Sequence, residues 1–285
     1  MRSVKLLVAA GAASLFTSAA FAADLPIAPP PPPYFVPPIV DFGGWYLRGD
    51  IGFSNQRVRN IAMADGRNAQ LLSHEQTTAF DAAGIYGVGV GYQFNNWFRG
   101  DITGQYRGNA NFKGTDILTY PVGGGVVGNG VNNYNAAKSE WLVLANAYVD
   151  LGTWWGITPF IGAGVGAARV TIANYTDVGM VNNSGFGWGT YPSAALAPAA
   201  STWNFAWAAH AGLAYQVTPG LALELGYSYV NLGRGTTGPV STYTGFTRGV
   251  PMQFNDITSH DLRLGVRWYF NSPPAYAPPP LVTKG

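Results

Sequence analysis

The stretch WAAHAGLAYQVTPGLALELGYSYVNL, residues 207–232, has the pattern of a β-hairpin. Apolar and aromatic residues occupy the odd positions on both sides of Thr218-Pro219-Gly220. Because successive strand side chains point to opposite faces, each arm has one apolar face and one face of small or polar residues. A soluble sandwich would alternate in the same way. The length of the arms and their aromatic ends instead favour tilted strands that cross a bilayer.

The composition also favours a sheet in contact with lipid. Charged residues make up 11% of the 285-residue chain and aromatic residues 14%, and there are 38 glycines. This mixture is poor for a soluble surface and suitable for a lipid-facing sheet. The chain contains no cysteine, which excludes disulfides and thiolate metal sites.

The formal net charge of +2 does not indicate nucleic-acid binding. It results from 16 basic and 14 acidic residues, and two of the basic ones, Arg2 and Lys5, lie at the extreme N-terminus. Without these two the chain has 14 residues of each sign. No basic footprint for nucleic acid remains.

The N-terminus has the three parts of a secretory signal peptide. Met1 to Lys5 are basic, an apolar run follows as far as Ala19, and Ala20-Phe21-Ala22 is an A-x-A site. The apolar run is too short to span a bilayer comfortably as a helix. We therefore predict export, with cleavage between Ala22 and Ala23.

Proline-rich segments flank the part of the chain that is predicted to fold. They run from Pro26 to Pro38 and from Pro273 to Pro280, and extended polyproline cannot join a hydrogen-bonded ladder. The predicted organisation is a signal peptide at residues 1–22, a proline-rich periplasmic segment at 23–43, an outer-membrane β-barrel at 44–270 and a proline-rich C-terminal tail at 271–285.

Eight strands are predicted between these segments, joined alternately by short turns and long connections. The strands are Gly44–Ser54, Phe80–Phe94, Trp97–Asn109, Lys138–Leu151, Thr158–Ile172, Thr202–Val217, Leu221–Arg234 and Thr258–Phe270. The long connections are Asn55–Ala79, Ala110–Ala137, Ala173–Ser201 and Gly235–Ile257. This asymmetry predicts an all-β fold, an eight-stranded antiparallel up-and-down transmembrane β-barrel with short periplasmic turns and long extracellular loops. Strand eight must pair with strand one, because an unpaired edge in lipid leaves backbone groups unsatisfied.

Alternation assigns most strands a lipid face and a lumen face. In strand two the even-numbered residues from Phe80 to Phe94 are predicted to face the lipid. The sequence does not decide which residues of strands four and five face the lipid. Aromatic residues gather near the short turns, where they predict a periplasmic-side girdle formed by Trp45, Phe94, Trp97, Trp268 and Phe270.

Charged residues share the lumen-facing parity. They are Arg48, Asp50, Arg99, Asp101, Glu224, Asp261, Arg263 and Arg267. An eight-stranded barrel is just wide enough to be filled by its own side chains, and buried charges must be paired. The favoured interpretation is a paired polar core that plugs the lumen. The alternative is a narrow ion-conducting path lined by the same charges.

Histidines raise the question of catalysis. His210 is predicted to face the lumen in mid-strand, His74 lies in the first long connection, and His260 stands between Ser259 and Asp261. Adjacent strand residues point to opposite faces, so Ser259, His260 and Asp261 cannot converge as a triad. The sequence therefore predicts no enzyme, with neither catalytic residues nor a cofactor or metal site.

Two segments carry a resemblance to a known family. GLAYQVTPGLALELGYSYVNLG and the final HDLRLGVRWYF, together with ADLP after the signal peptide, resemble the α-proteobacterial outer-membrane β-barrel proteins. These are opacity-like surface antigens, often labelled porins, and they are similar in architecture to the OmpA transmembrane barrel. The resemblance covers Gly44 to Phe270 and implies the outer membrane of a Gram-negative bacterium and insertion by the barrel-assembly machinery. Members usually end at the final aromatic residue, whereas Phe270 is followed here by Asn271–Gly285.

The functional expectation is a surface-exposed outer-membrane barrel with a structural role and a role as a small-solute porin. The alternative is an adhesin or ligand-binding surface antigen that uses the four long connections. A barrel enzyme that modifies lipid is the least favoured hypothesis. Outer-membrane lipid, an extracellular ligand and peptidoglycan, reached by the proline-rich tails, are the expected partners, and nucleic acid is not.

Overall fold

A computed structural model of the chain describes residues 44–183, 187, 189–245 and 247–270. The predicted signal peptide, the cleavage site and both proline-rich segments lie outside the described residues. The strands are β1 (Gly44–Arg57), β2 (Asn60–Met63), β3 (Ser73–Phe80), β4 (Ala83–Gln93), β5 (Phe98–Gly123), β6 (Val126–Asp150), β7 (Ile157–Asn182), β8 (Thr190–Ala197), β9 (Ala200–Thr218), β10 (Leu221–Thr242) and β11 (Thr247–Tyr269). One short 3₁₀ helix spans Arg67–Gln70. Within the described ranges, no helix is long and apolar enough to cross a membrane.

Eight of these strands close into a ring of antiparallel pairs. The order around the ring is β1, β4, β5, β6, β7, β9, β10, β11 and back to β1. The closing pair of β1 and β11 runs from Tyr46 opposite Tyr269 to Arg57 opposite Thr258. The predicted eight-stranded antiparallel barrel is confirmed, including its closure by the first and last strands.

Short turns lie at one end of the barrel, as predicted. They join β4 to β5, β6 to β7, and β9 to β10. The chain enters and leaves the barrel at this same end, where the backbone amide of Phe270 donates a hydrogen bond to the carbonyl oxygen of Trp45 at 3.1 Å.

The two faces of the wall follow the alternation of the sequence. In β10, Leu223 and Leu225 are exposed on the outside while Ala222 and Glu224 are buried inside. The structure also settles the two strands whose facing the sequence left open. In β6 the even residues, including Leu142 and Leu144, face the interior and Trp141 faces out, and in β7 Ala168 and Val170 are interior.

Strand two is not continuous, and the prediction that Phe80 faces outward is wrong. The predicted strand Phe80–Phe94 is divided at Asp81 and Ala82 into β3 and β4. The division shifts the alternation by one residue, so even residues face inward in β3 and odd residues face inward in β4. Phe80 is therefore 9% exposed and packs inside, with its ring centroid 5.1 Å from that of Phe112.

The long connections are largely strand rather than loop. β5, β6, β7, β10 and β11 are 22 to 26 residues long, β2 and β8 lie wholly within the predicted connections, and β3 lies there except for Phe80. In β7 and β11 the sequence alternation also breaks, because Asn174 and Asp256 adopt positive φ values of 54° and 52°. Each marks a point where the inward parity reverses. We call this region the upper tier. It is built from β2, β3, β8 and the halves of the five long strands that lie farther from the short turns.

The upper tier closes through a side chain instead of a strand pair. Its strands pair in the order β2, β11, β10, β8, β7, β6, β5, β3, which leaves a seam between β2 and β3. At the seam the side-chain Nε2 of Gln76 donates to the backbone carbonyl of Ile61 at 2.8 Å, and its Oε1 accepts from the backbone N–H of Ile61 at 3.1 Å. The glutamine side chain thus takes the place of a backbone partner.

Candidate functional site

The lower half of the lumen contains an ion network centred on Arg48. Its guanidinium lies 2.8 Å from Asp50, 2.9 Å from Asp101 and 3.4 Å from Glu224. Glu224 also lies 3.2 Å from Arg267 and 3.4 Å from Arg99. These residues belong to β1, β5, β10 and β11, so the network crosses the lumen instead of following one wall.

Arg99 extends this network toward the short-turn end. Its Nε lies 3.2 Å from Asp150, and its guanidinium carbon lies 4.3 Å from the ring centroid of Tyr148 and 4.7 Å from that of Phe160. Stacking of a guanidinium on aromatic rings stabilises the cation where water is excluded. Arg99 is therefore held by two rings and the Asp150 carboxylate on the neighbouring strands β6 and β7, and by Glu224 across the lumen.

Two of the eight predicted lumen charges lie apart from the Arg48 network. Arg263 donates to Ser228 at 2.6 Å and lies 3.3 Å from Nδ1 of His210. Asp261 belongs to a second layer higher in the barrel, where Arg107 contacts it at 2.5 Å. The other six, Arg48, Asp50, Arg99, Asp101, Glu224 and Arg267, are brought together.

The second layer contains charges that the sequence prediction did not include. Lys138 makes close contacts with Glu140 and with Gln56, and Gln56 donates to Glu140 at 3.1 Å. Arg107 bridges this group to Asp261. Lys138, Glu140 and Asp150 lie on β6, whose facing was left open, so no parity argument assigned them to the lumen. Arg107 has the same parity as Arg99 and Asp101 in β5, but the sequence does not reveal its partners across the lumen.

The buried lumen charges balance. Arg48, Arg99, Arg107, Lys138, Arg263 and Arg267 supply six positive charges, and Asp50, Asp101, Glu140, Asp150, Glu224 and Asp261 supply six negative charges. All twelve side chains are buried. A cavity within the Arg48 network has a volume of only ≈ 10 Å³, about the room that one water molecule needs.

An apolar layer at the base of the upper tier lies above the charges. Phe112 and Phe254 meet edge to face, with their centroids 4.9 Å apart, and Tyr175 lies 6.5 Å from Phe254. Ile172 and Ile257 are fully buried beside them. The layer is built from the continued strands, so the sequence prediction of loops in this region concealed it.

Above the apolar layer the upper tier encloses a cavity of ≈ 520 Å³, which we call the cup. Its floor shares Ile61, Tyr134 and Met252 with the apolar layer. The charged residues that line it are Asp116, Asp177 and Arg67, and Arg67 lies 2.5 Å from Asp65.

The carboxylate of Asp116 in the cup is held by three neighbouring side chains. It is 3% exposed and accepts from Tyr134 at 2.7 Å and from Asn132 at 2.9 Å, with Nε2 of His74 at 3.1 Å. Burial, with the negative charges of Asp177 and Asp116, raises the pKa of Tyr134 well above its ordinary value. The Tyr134 hydroxyl thus stays protonated and remains a donor to Asp116.

The three histidines lie in separate environments. His210 is buried, with Nδ1 2.7 Å from Ser228 and Nε2 3.1 Å from Asn146. His260 lies on the outer face and contacts the Tyr227 hydroxyl at 2.6 Å. Ser259 donates to Asp261 inside the barrel, so His260 does not join them, as the alternation predicted. His74 lies in strand β3 and not in a loop.

The predicted girdle residues lie on the outer face around the short-turn end. Trp45, Phe94, Trp97, Trp268 and Phe270 are between 52% and 58% exposed. They contact neighbouring rings, as in the pair of Trp268 and Phe270, whose centroids are 6.2 Å apart. In the ranges that the structure describes, no group of three or more His, Cys, Asp or Glu residues is placed to hold a metal ion.

A closed antiparallel barrel with an apolar, aromatic-rimmed exterior defines a transmembrane β-barrel protein. Residues 8–270 match the model of the outer membrane protein beta-barrel domain family, and the chain belongs to that family. It is an outer-membrane protein of the Gram-negative type, so the short turns face the periplasm and the upper tier faces outward.

Three relatives are similar to this chain over most of its length. An uncharacterized protein of Brucella abortus is 32% identical over 244 residues, covering 76% of this chain and 78% of that protein. The outer membrane protein PagN of Salmonella typhimurium is 29% identical, covering 80% of this chain and 90% of PagN. A putative adhesin of Rickettsia bellii is 27% identical, covering 79% of this chain and 87% of the relative.

Proposed function

We propose that this protein is a sealed outer-membrane barrel that binds a ligand outside the cell through its upper tier. The observation that supports the proposal is the set of twelve buried, balanced charges inside the barrel, beneath an upper tier made of paired strands. A cavity within the Arg48 network has a volume of ≈ 10 Å³, and the apolar layer lies above the charges.

The alternative of a small-solute porin is less well supported. An ion that followed the lumen would have to displace paired charges and then cross the layer of Phe112 and Phe254. Separation of a buried ion pair is costly, because each partner is left as an uncompensated charge. A structural role for the buried charges therefore accords better with their balance of six against six.

Features of the upper tier support a binding role. The tier is held by continuous ladders and by cross-strand pairs such as Thr115 with Asn133 at 3.0 Å, so it presents a fixed surface. Rigid surfaces lose less conformational entropy on binding than irregular loops do. The name of the Rickettsia bellii relative, a putative adhesin, is in keeping with an outward-facing binding function.

Catalysis has little support among the described residues. Ser259 and Asp261 are buried inside the barrel while His260 lies outside. A nucleophile needs an available base within hydrogen-bond reach, whereas the carboxylate that Ser259 reaches, Asp261, is ion-paired with Arg107 and buried in the lumen. We propose that the protein acts by binding and not by catalysis.

The test combines conductance with adhesion. We expect the purified barrel, reconstituted in planar bilayers, to give no defined conductance steps. Cells that display the barrel should bind host or environmental surfaces, and replacing Gly114–Gly130 by a short turn should abolish that binding while the barrel still folds. Regular conductance steps, or binding that survives the replacement of every upper-tier hairpin, would contradict the proposal.

A further inference from the structure

The cup has the dimensions and enclosure of a small-molecule site. Its ≈ 520 Å³ lies within the range of about 300–1,000 Å³ that is usual for ligand pockets. Strands β5, β6, β7, β8 and β10 form its walls, and the 3₁₀ helix with its neighbours lies on the seam side. A folded partner domain is too large for this space, whereas one small molecule or one side chain fits.

The electrostatics of the cup select against anions. Asp116 and Asp177 line it, and the one lining cation in the described ranges, Arg67, is already engaged by Asp65 at 2.5 Å. Asp116 has three neighbouring donors, His74, Asn132 and Tyr134, which fix the orientation of its carboxylate. A ligand that carries a positive charge meets an oriented carboxylate here, and a phosphate or carboxylate ligand meets repulsion.

The remaining walls suit an aliphatic cation. Tyr120 and Tyr191 are held together by Asn183, which accepts from Tyr120 at 2.7 Å and donates to Tyr191 at 3.1 Å. Aromatic rings attract cations that pass over their faces. Leu118 and Val240 supply apolar surface next to the acids and the tyrosines, which matches the alkyl stem behind an ammonium group.

We propose that the cup binds the ammonium end of an alkylamine, with Asp116 and Asp177 receiving the charge and the tyrosines and apolar residues receiving the stem. This inference rests on the proposed binding function of the upper tier and names the chemistry of its ligand. An ammonium group offers three donors and no acceptor, which complements a wall of carboxylate and hydroxyl oxygens. The amine is either free or the side chain of a lysine on a partner protein.

Calorimetry on the full barrel in lipid nanodiscs tests the assignment. The probe is pentylamine, and its neutral analogue is pentanol. We expect pentylamine to bind and pentanol to bind at least tenfold more weakly, since a hydrogen bond between charged groups is stronger than one that a neutral hydroxyl makes. Equal binding of the two, no binding of pentylamine at millimolar concentration, or tighter binding of a neutral monosaccharide would overturn the proposal.

Variants locate the site. Asp177→Asn should weaken pentylamine binding roughly tenfold, in keeping with the loss of one charge-assisted contact. Asp116→Asn should do the same and serves as the second variant, so a folding defect in one does not remove the test. The matched control is Asp256→Asn, an exposed upper-tier acid paired with Arg59 at 3.3 Å. Unchanged affinity in both cup variants, or equal loss in the control, would place the amine elsewhere.

Two further probes assign the source of the amine. Cadaverine stands for a free amine and Nα-acetyl-lysine amide for a lysyl side chain. Binding of either supports the alkylammonium site, and the ratio of their affinities decides between the sources. The outcome is independent of the adhesion assay: intact adhesion without amine binding would remove this inference and leave the proposed function standing.

Discussion

Arg107 of β5 and Asp261 of β11 form an ion pair at 2.5 Å across the interior of the barrel. The strands that carry them are not neighbours, because β1 and β4 lie between them in the ring. Each side chain is 1% exposed. The pair therefore links opposite parts of the wall through the lumen, and its removal tests whether the charges stabilise the barrel.

Replacement of one partner should destabilise the fold. We expect Arg107→Ala to lower the free energy of unfolding by about 3–5 kcal/mol, because Asp261 would remain as a buried, uncompensated charge. The double variant Arg107→Ala with Asp261→Ala should lose less than the sum of the two single losses. Urea unfolding in lipid vesicles, followed by tryptophan fluorescence, measures all three values.

An exposed pair provides the control for Arg107. Arg59 and Asp256 lie 3.3 Å apart with side chains that are 79% and 60% exposed. Exposed pairs contribute little, so Arg59→Ala should change stability by less than ~1 kcal/mol. Strictly additive losses at Arg107 and Asp261 would show that the two residues do not stabilise one another.

The sequence predicted the membrane half of the barrel well because that half obeys strict alternation. One face meets lipid and the other meets the lumen. In a run such as Leu221–Tyr229 the alternation therefore indicates which side chains face lipid and which face the lumen. The same rule failed at Phe80, where the break at Asp81 and Ala82 shifts the parity. It could not identify the partner of Arg107 either, since a contact across the lumen depends on barrel closure and tilt.

The apolar layer should be structural without being the only seal. Phe112→Ala is expected to cost about 3–5 kcal/mol, because it removes a ring from a packed interior. The charged layers beneath would remain in place, so planar bilayers should still show no defined conductance. Ile117→Ala, on the outer face of the same strand and 51% exposed, is the control with little effect. A stable but conducting Phe112→Ala protein would mean that this layer alone closes the lumen.

The side chain of Gln76 should hold β2 and β3 together at the seam of the upper tier. Gln76→Ala removes both hydrogen bonds to Ile61, and we expect faster amide exchange at residues 60–63 with β9 and β10 unchanged. Loss of buried hydrogen bonds of this kind costs about 1–3 kcal/mol. Thr78→Ala, two residues along the same face of β3, is the control. Exchange that stays slow in Gln76→Ala would show that β2 is held by its pairing with β11 alone.

The cup was beyond prediction for a different reason. Its residues, including Asp116, Tyr134 and Asp177, lie within two of the predicted long connections, Ala110–Ala137 and Ala173–Ser201. Asn174 reverses the parity of β7 just before Asp177, so no single alternation places that residue inside. Polar sequence with broken alternation indicates a loop when it is considered alone, and only the pairing of neighbouring strands reveals a tier.

Two glycines, Gly91 in β4 and Gly104 in β5, provide a test of interior packing. A Cβ added at Gly91 would lie 2.3 Å from the Tyr46 ring and 2.6 Å from the Gly100 carbonyl oxygen, whereas a Cβ at Gly104 would meet nothing within 4 Å. Gly91→Ala should therefore destabilise the barrel by about 1–3 kcal/mol or more, because Tyr46 is fully buried and its ring has little room to shift. Gly104→Ala should leave stability close to that of the unsubstituted protein. Urea unfolding in vesicles measures both, and equal stability of the two variants would show that the interior beside Tyr46 is looser than its contacts indicate.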